Sequence, residues 1–257
     1  MKITYSMYQK FILIILFSSF IQCYGQNYVK IGKLYWADHN LNTSTFANGD
    51  EIIEAKSPED WQEFFKQGIP AFCSMNYNSK NDSIHGKIYN WFAVVDPRGL
   101  APEGFMVPAL EDWLGLRAYL NYDTICRCYP PILRSAEKLK SNKEWLEGSK
   151  GENLFNMNIL PSGYLLNDGN LQGRFVQTSF WTSTPKNAAG VVGDSYTTYY
   201  IIFNGVKKDL LYDNNFDANG HFVRCATGKQ FYSFPPTNTS PDSDSDSNPS
   251  GEEGDDK

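Results

Sequence analysis

The sequence has few of the residues from which catalytic and metal centres are usually built. It contains three histidines, His39, His85 and His221, and none of them forms a His-x-x-x-His pair. It also has no G-x-S-x-G nucleophile motif, no Walker phosphate loop and no dinucleotide-binding fingerprint. We therefore expect no catalytic residue, no cofactor and no metal site, and we expect the histidines to be structural or surface residues.

An excess of positive charge is also missing. The formal net charge is −6, and the stretch 235–257 alone accounts for it with seven acidic residues and one lysine. The rest of the chain carries no basic stripe, which argues against a nucleic-acid partner. The stretch 235–257 is rich in Pro, Ser, Asn and Asp and almost free of apolar residues. It is therefore predicted to be a disordered acidic tail.

A single long apolar run lies near the start of the chain. Residues 11–21 are apolar except for two serines and follow two lysines. This arrangement is typical of a secretory signal peptide and is short for a membrane span. Small residues at Cys23 and Gly25 predict cleavage after Gly25, so that 1–25 is the signal and the protein is secreted, periplasmic or on the outer cell surface. Two alternatives stay open: a lipid on Cys23, which would attach the protein to a membrane, or a buried core helix at 11–21.

Cysteines are few as well. Cleavage after Gly25 would leave Cys73, Cys126, Cys128 and Cys225, an even number that permits disulfides in an exported chain. The C-x-C spacing of Cys126 and Cys128 is too tight for an easy bridge, and without nearby histidines it is a poor zinc site. We favour a disulfide between Cys73 and Cys225. The alternative is that all four are small buried residues.

What the sequence does contain indicates one folded domain at 26–234. This length suits a single domain, and an apolar fraction of 41% with 15% aromatic residues favours a packed core. Tyr28 to Trp36 alternates like a strand. A helix is predicted to start at Ser57 and Pro58, where a capping hydroxyl is followed by a proline suited to the first helical position.

The remaining elements divide the domain into two halves. Ile84 to Val95 is predicted to be a buried, partly irregular segment, and helices are predicted at Glu111–Leu120 and Leu133–Lys140. After residue 150, turn signals such as Asn204-Gly205 separate short β-rich runs. These runs are 180–184, 196–203, 210–212 and 221–227. Because helices come early and strands late, the predicted class is α+β.

Seven short motifs in order resemble one protein family. They are Ile31-Gly32 with Trp36 and Asn40-Leu41-Asn42, Asn48-Gly49-Asp50, Gly86 to Trp91, Leu100 to Pro108 with Glu111-Asp112-Trp113, Leu160 to Tyr164, Phe180 to Thr184, and Val223-Arg224-Cys225. Together they resemble the Fibrobacter succinogenes major paralogous domain, over about 29–228. Departures from the family pattern include Ala101, where many members have a cysteine, and Phe105-Met106, where many have Trp-His.

The resemblance implies a C-type-lectin-like fold in an exported or surface protein of Bacteroidetes-type bacteria. It also implies a distant similarity to the formylglycine-generating (sulfatase-modifying) enzymes. Those enzymes need two reactive cysteines near the chain end, and only Cys225 lies there, so an enzyme is the remote alternative. The sugar-binding motifs of calcium-dependent lectins, Glu-Pro-Asn and Trp-Asn-Asp, do not occur.

Aromatic residues are the remaining candidates for a ligand site. Tyr196, Tyr199 and Tyr200 border the loop 185–195, and exposed rings stack on sugars or anchor protein interfaces. We expect a non-catalytic binding or adhesion module whose partner is a glycan or a surface protein. The alternative is a structural component of the cell envelope without a small ligand.

Overall fold

The computed structural model describes residues 27–127, 133–185, 197–216 and 219–228. The predicted signal peptide, the acidic tail, Cys23, Cys128 and Tyr196 lie outside the described residues, and the side chain of Cys126 is not described either. None of the helices in these ranges is both long and apolar enough to cross a membrane.

Five helices and eleven strands make up the described chain. The helices are α1 (Pro58–Lys66), α2 (Asp82–His85), α3 (Trp91–Val94), α4 (Leu110–Arg127) and α5 (Ser135–Leu139), with two short 3-10 turns at Met75–Tyr77 and Ser79–Asn81. The strands are β1 (Tyr28–Ile31), β2 (Leu34–Ala37), β3 (Ile53–Glu54), β4 (Ala71–Ser74), β5 (Lys87–Tyr89), β6 (Tyr164–Leu165), β7 (Leu171–Gln172), β8 (Gln177–Pro185), β9 (Thr197–Asn204), β10 (Leu211–Phe216) and β11 (Ala226–Thr227).

The strands form several small sheets. β1, β2 and β11 form an antiparallel sheet with β2 in the centre, and β8, β9 and β10 form another with β9 in the centre. In the third sheet β4 pairs with β3 in parallel and with β5 antiparallel, and β6 and β7 form a two-stranded ribbon. The mixed α+β class predicted from the sequence is confirmed.

Two clusters of buried side chains fill the space between these sheets. In the larger one, helix α4 presents Leu110, Trp113, Leu116 and Leu120, whose helical spacing puts them on one face. The ring of Trp113 lies 4.7 Å from that of Trp36 on β2, centroid to centroid. It also stacks on Phe180 of β8 at 5.7 Å, so that α4 joins two of the sheets.

Helix α1 begins as the sequence predicts. The Ser57 hydroxyl accepts a hydrogen bond from the Asp60 amide at 3.1 Å, and Pro58 occupies the first turn. Trp61 is buried on the inner face of the helix, whereas Phe65 packs against Phe92 of α3 with ring centroids 5.5 Å apart.

Three details differ from the sequence prediction. The expected strand at Tyr28–Trp36 is a hairpin, because Gly32 adopts φ +65° and turns the chain between β1 and β2. Strands are not confined to the second half, since five of them precede residue 90. The run 221–227 forms a strand only at Ala226–Thr227. Before that point it makes single bridges, His221 to Tyr89 and Phe222 to Phe180.

Candidate functional site

A surface pocket of about 390 Å³ lies where the chain leaves β2 and where it enters β11. We call it the Asn40–Arg224 pocket. Its lining is mostly polar and comprises Asn27, Asp38, His39, Asn40, Ser83, Ile84, Asn158, Leu160 and Arg224. The volume falls within the range of small-molecule binding sites.

Besides Asn27, four chain segments that are distant in sequence supply the walls. The turn after β2 carries Asp38 to Asn40, the short helix α2 carries Ser83 and Ile84, and a loop supplies Asn158. Arg224 arrives from the segment before β11, which is antiparallel to β2. Because β11 pairs with β2, an early and a late segment of the described chain meet at this pocket.

The guanidinium of Arg224 joins three of these segments. Its Nη1 donates to the carbonyl of Ala37 at 3.1 Å and to the carbonyl of Met157 at 3.0 Å. Its Nη2 donates to the Asn40 side-chain oxygen at 2.6 Å. One side chain therefore fixes the end of β2, the asparagine of the following turn and the loop that carries Asn158.

Arg224 is almost fully buried, and its acceptors are all neutral oxygens. Among the described residues it forms no ion pair, and its Nε has no hydrogen-bond partner. Burial lowers the pKa of Arg224 to about 9, an effect opposed by the negative charge of Asp38. The group stays protonated at neutral pH, and a buried cation without a hydrogen-bonded counter-ion is costly to the fold.

The second anchor of the pocket is Asn40. Its side-chain NH₂ donates to the carbonyl of His85 at 2.7 Å, at the end of α2. The Asn40 side chain thus accepts from Arg224 and donates to α2, which holds the wall containing Ser83 and Ile84 in place. Gly86, the residue after α2, packs tightly against this turn. A Cβ at this position would lie 2.7 Å from the Asn40 Cβ.

The loop bearing Asn158 has unusual backbone geometry. Asn153, Asn156 and Asn158 have φ values of +48°, +55° and +53°. Asparagine tolerates this left-handed region better than most residues. The amide of Asn158 donates to the Asn153 side chain at 2.9 Å, and the Asn158 NH₂ donates to the Asn156 carbonyl at 2.8 Å. The loop is therefore locked by its own asparagines as well as by Arg224.

Groups that can contact a ligand include both donors and acceptors. Asp38 and His39 form a pair with 2.6 Å between Oδ1 and Nδ1, and His39 is partly exposed. Ser83 and Asn158 are exposed, and the exposed side chain of Ile84 adds an apolar surface. No cluster of three or more histidine, cysteine or acidic side chains suited to a metal ion occurs in the described part of the chain.

A serine–histidine–glutamate arrangement forms around His85, the last residue of α2. His85 Nδ1 is 2.9 Å from the Ser162 hydroxyl, and its Nε2 is 3.8 Å from a Glu144 oxygen that also binds Arg174 at 2.8 Å. Burial, followed by the charge of Arg174, lowers the pKa of His85. Ser162 is fully buried, so its oxygen is inaccessible to a substrate. The arrangement therefore ties α2 to the loop before β6.

The predicted tyrosine site is not assembled as one surface. Tyr199 and Tyr200 are neighbours on β9, and successive side chains of a strand point to opposite faces. Tyr199 packs against the larger core cluster and Tyr200 against the smaller one. The Tyr200 ring stacks on that of buried His221, with centroids 4.5 Å apart, and burial raises the pKa of Tyr200 to about 12.

The favoured disulfide is absent from the structure. Cys73 and Cys225 are both free, buried thiols, and they belong to the two different core clusters. Burial raises the pKa of both, to about 12 for Cys225. Cys73 lies in the middle of β4, where its backbone pairs with Ile88, so that each thiol fills a small gap in apolar packing.

Sequence reasoning missed the pocket, although part of its signal was present. Asn40 and Arg224 both belong to motifs that carry the family resemblance. The spacing of residues in these motifs does not indicate a binding site. Ser83 and Asn158 lie in segments without any local signal, and only the tertiary structure brings them to Asn40.

The chain matches the model of a known protein family. The model of the Fibrobacter succinogenes major domain matches residues 29–226, which is most of the chain. This range contains every described residue that lines the pocket except Asn27. No curated protein and no solved structure matches the chain.

Proposed function

The chain belongs to the Fibrobacter succinogenes major domain family, and we propose that it is an exported or cell-surface binding module without catalytic activity. Its ligand would be a hydroxyl-rich glycan held in the Asn40–Arg224 pocket. The observation that carries this proposal is the polar, preformed lining of that pocket. Its walls are fixed by Arg224 and Asn40, so little ordering remains to be done on binding.

The chemistry of the lining suits an uncharged sugar. Sugar hydroxyls both donate and accept hydrogen bonds, and the pocket offers carboxylate, amide, hydroxyl and imidazole groups together. Asp38 and the protonated Arg224 balance each other in charge. The exposed side chain of Ile84 offers an apolar contact for the C–H face of a sugar ring.

Two further parts of the proposal rest on the sequence. The apolar run at 11–21 and the small residues before Gln26 support export, with a surface or secreted destination. The family resemblance supports a C-type-lectin-like arrangement, in which loops on a small-sheet scaffold carry the ligand. The position of the pocket between a turn, a short helix and a loop agrees with this type of site.

The test is a glycan and surface-protein array probed with the chain and two tryptophan variants. Ser83→Trp places a large ring at an exposed wall of the pocket, whereas Asn142→Trp adds the same ring at an exposed position outside it. We expect a reproducible glycan binder that Ser83→Trp loses and Asn142→Trp keeps. Absence of any reproducible binder, or equal binding by both variants, would contradict the proposal.

A further inference from the structure

Exposed apolar side chains occur on three adjacent turns, and none of them belongs to the lining of the pocket. Leu146, Phe175, Val176 and Val206 are all exposed, and Val206, at 85%, is exposed most. The Leu146 amide donates to the Phe175 carbonyl at 3.1 Å, and the Gly205 amide donates to the Val176 carbonyl at 2.7 Å. These bonds hold the three turns side by side. We call the surface formed by these four residues the apolar turns.

Phe175 is held in a backbone conformation that aromatic residues rarely adopt. Its φ is +71°, in the left-handed region that favours glycine. Its amide donates to the Pro161 carbonyl at 3.0 Å, and its carbonyl accepts from Leu146, so both backbone groups are fixed. The Arg174 guanidinium lies 4.1 Å from the centroid of its ring. Strain of this kind persists where the surrounding structure imposes it, and it is common at functional sites.

Two exposed lysines lie close in sequence to the apolar turns. Lys207 directly follows Val206, and Lys143 lies on the turn of Leu146. Both are exposed, and neither forms an ion pair with any described residue. The nearby acidic residues Glu144 and Glu147 are bound to Arg174 and Lys150. The surface is thus apolar at its tips and positively charged around them, in a chain whose net charge is −6.

We infer that the apolar turns dock this domain on the surface of an anionic lipid bilayer. Protruding turns fit a lipid interface, which deforms around them, whereas a protein partner would need a matching pocket. Apolar tips enter the boundary between headgroups and acyl chains, and lysines beside them attract anionic headgroups. This role is independent of glycan binding and would place the Asn40–Arg224 pocket near a membrane.

Vesicle co-sedimentation tests the inference with the full chain. The vesicles contain phosphatidylcholine alone or phosphatidylcholine with a third of phosphatidylglycerol. Because the apolar run at 11–21 and the two lysines before it can bind lipid by themselves, the measured quantity is the change that each variant makes in the difference in binding between the two vesicle types. The variants Val206→Asp, Phe175→Gly and Lys207→Glu alter the surface. Val95→Asp and Lys33→Glu make the same changes at exposed positions elsewhere in the chain.

We expect a preference for anionic vesicles that weakens as salt concentration rises. Val206→Asp and Lys207→Glu should each reduce this preference by about tenfold or more, and the two controls should leave it unchanged. Phe175→Gly relieves the positive φ, so it should bind more weakly without losing thermal stability. Equal binding to both vesicle types would overturn the inference. So would concentration-dependent self-association that Val206→Asp abolishes, since the surface would then be an interface between two copies.

Discussion

The Nη2 of Arg224 donates to the Asn40 side-chain oxygen at 2.6 Å, across 184 positions of sequence. This bond joins the segment before β11 to the turn after β2, and Asn40 passes the connection on to α2 through the His85 carbonyl. The architecture of the pocket therefore depends on one buried arginine and one buried asparagine. Fold stability and the shape of the pocket are therefore coupled through this pair.

Replacing Arg224 with lysine should cost about 2 to 4 kcal/mol of the free energy of unfolding. Lysine keeps the charge but cannot reproduce the three fixed hydrogen bonds of the guanidinium, and it leaves buried acceptors unpaired. Denaturant titration measures this loss. In a double-mutant cycle with Asn40→Ala, the coupling energy should reach about 1 kcal/mol or more. Additive losses would show that the two side chains act independently.

Asp209 forms the main polar connection around helix α4. Its carboxylate accepts from Arg117 Nε at 2.8 Å, from Asn121 at 2.9 Å, and from the Ser135 hydroxyl at the start of α5. Asp209→Asn should reduce the free energy of unfolding by about 2 to 3 kcal/mol, because charge-assisted bonds are lost and a donor is placed among donors. The exposed residue Asp213, changed to Asn, is the matched control and should have almost no effect.

Asp209 also gives the stability a dependence on acid. Hydrogen bonds from Arg117, Ser135 and Asn121 lower its pKa, although burial opposes them. The unfolded state therefore takes up a proton at a higher pH than the native state does. The stability that Asp209 supplies should be complete above its unfolded pKa, about 4, and decline as the pH falls further. Titrations of unfolding at several pH values should show a shallower decline for Asp209→Asn than for the native chain.

His221 should destabilise the fold at mildly acid pH. Burial lowers its pKa to about 3, while an unfolded histidine titrates near about 6.5. Between these values the unfolded state binds one more proton than the native state. As the pH is lowered through this range, this residue should decrease the free energy of unfolding by up to about 1.4 kcal/mol per pH unit. His221→Phe keeps a ring between Tyr164 and Tyr200 and removes the titration.

The measurement for His221 is the slope of the unfolding free energy against pH. His221→Phe should show a smaller slope between about pH 4 and 6.5. His85→Phe is a useful comparison, because the pKa of His85 is also lowered by burial. An unchanged slope in His221→Phe would mean that the imidazole is accessible to protons in the folded protein.

The thiols of Cys73 and Cys225 should be unreactive in the folded protein. The thiolate is the reactive form, and burial raises the pKa of both groups. Alkylation under native conditions followed by peptide mapping should find both residues unlabelled, and unfolding in denaturant should expose both to the reagent. Recovery of a disulfide-linked pair of peptides containing these two cysteines would contradict the free thiols of the structure.

Local features of the fold could be predicted because their causes are local. The capping hydroxyl of Ser57 and the ring of Pro58 set the start of α1, and the spacing of Leu110, Trp113 and Leu116 set the buried face of α4. The hairpin at Tyr28–Ala37 was missed because alternation continues across Gly32, and only its positive φ reveals the turn.

The sequence by itself determined the family, the mixed α+β class and the charge of the tail. It also determined the helices α1 and α4, which have a capping residue or an apolar face at helical spacing. These follow from composition, from motif order and from interactions between residues close in the chain. Only the tertiary structure decided where Arg224 and Asn40 meet, why Tyr199 and Tyr200 face different clusters, and why Cys73 and Cys225 remain apart. Contacts across more than a hundred residues depend on how separate sheets pack, and no local pattern in the sequence encodes that packing.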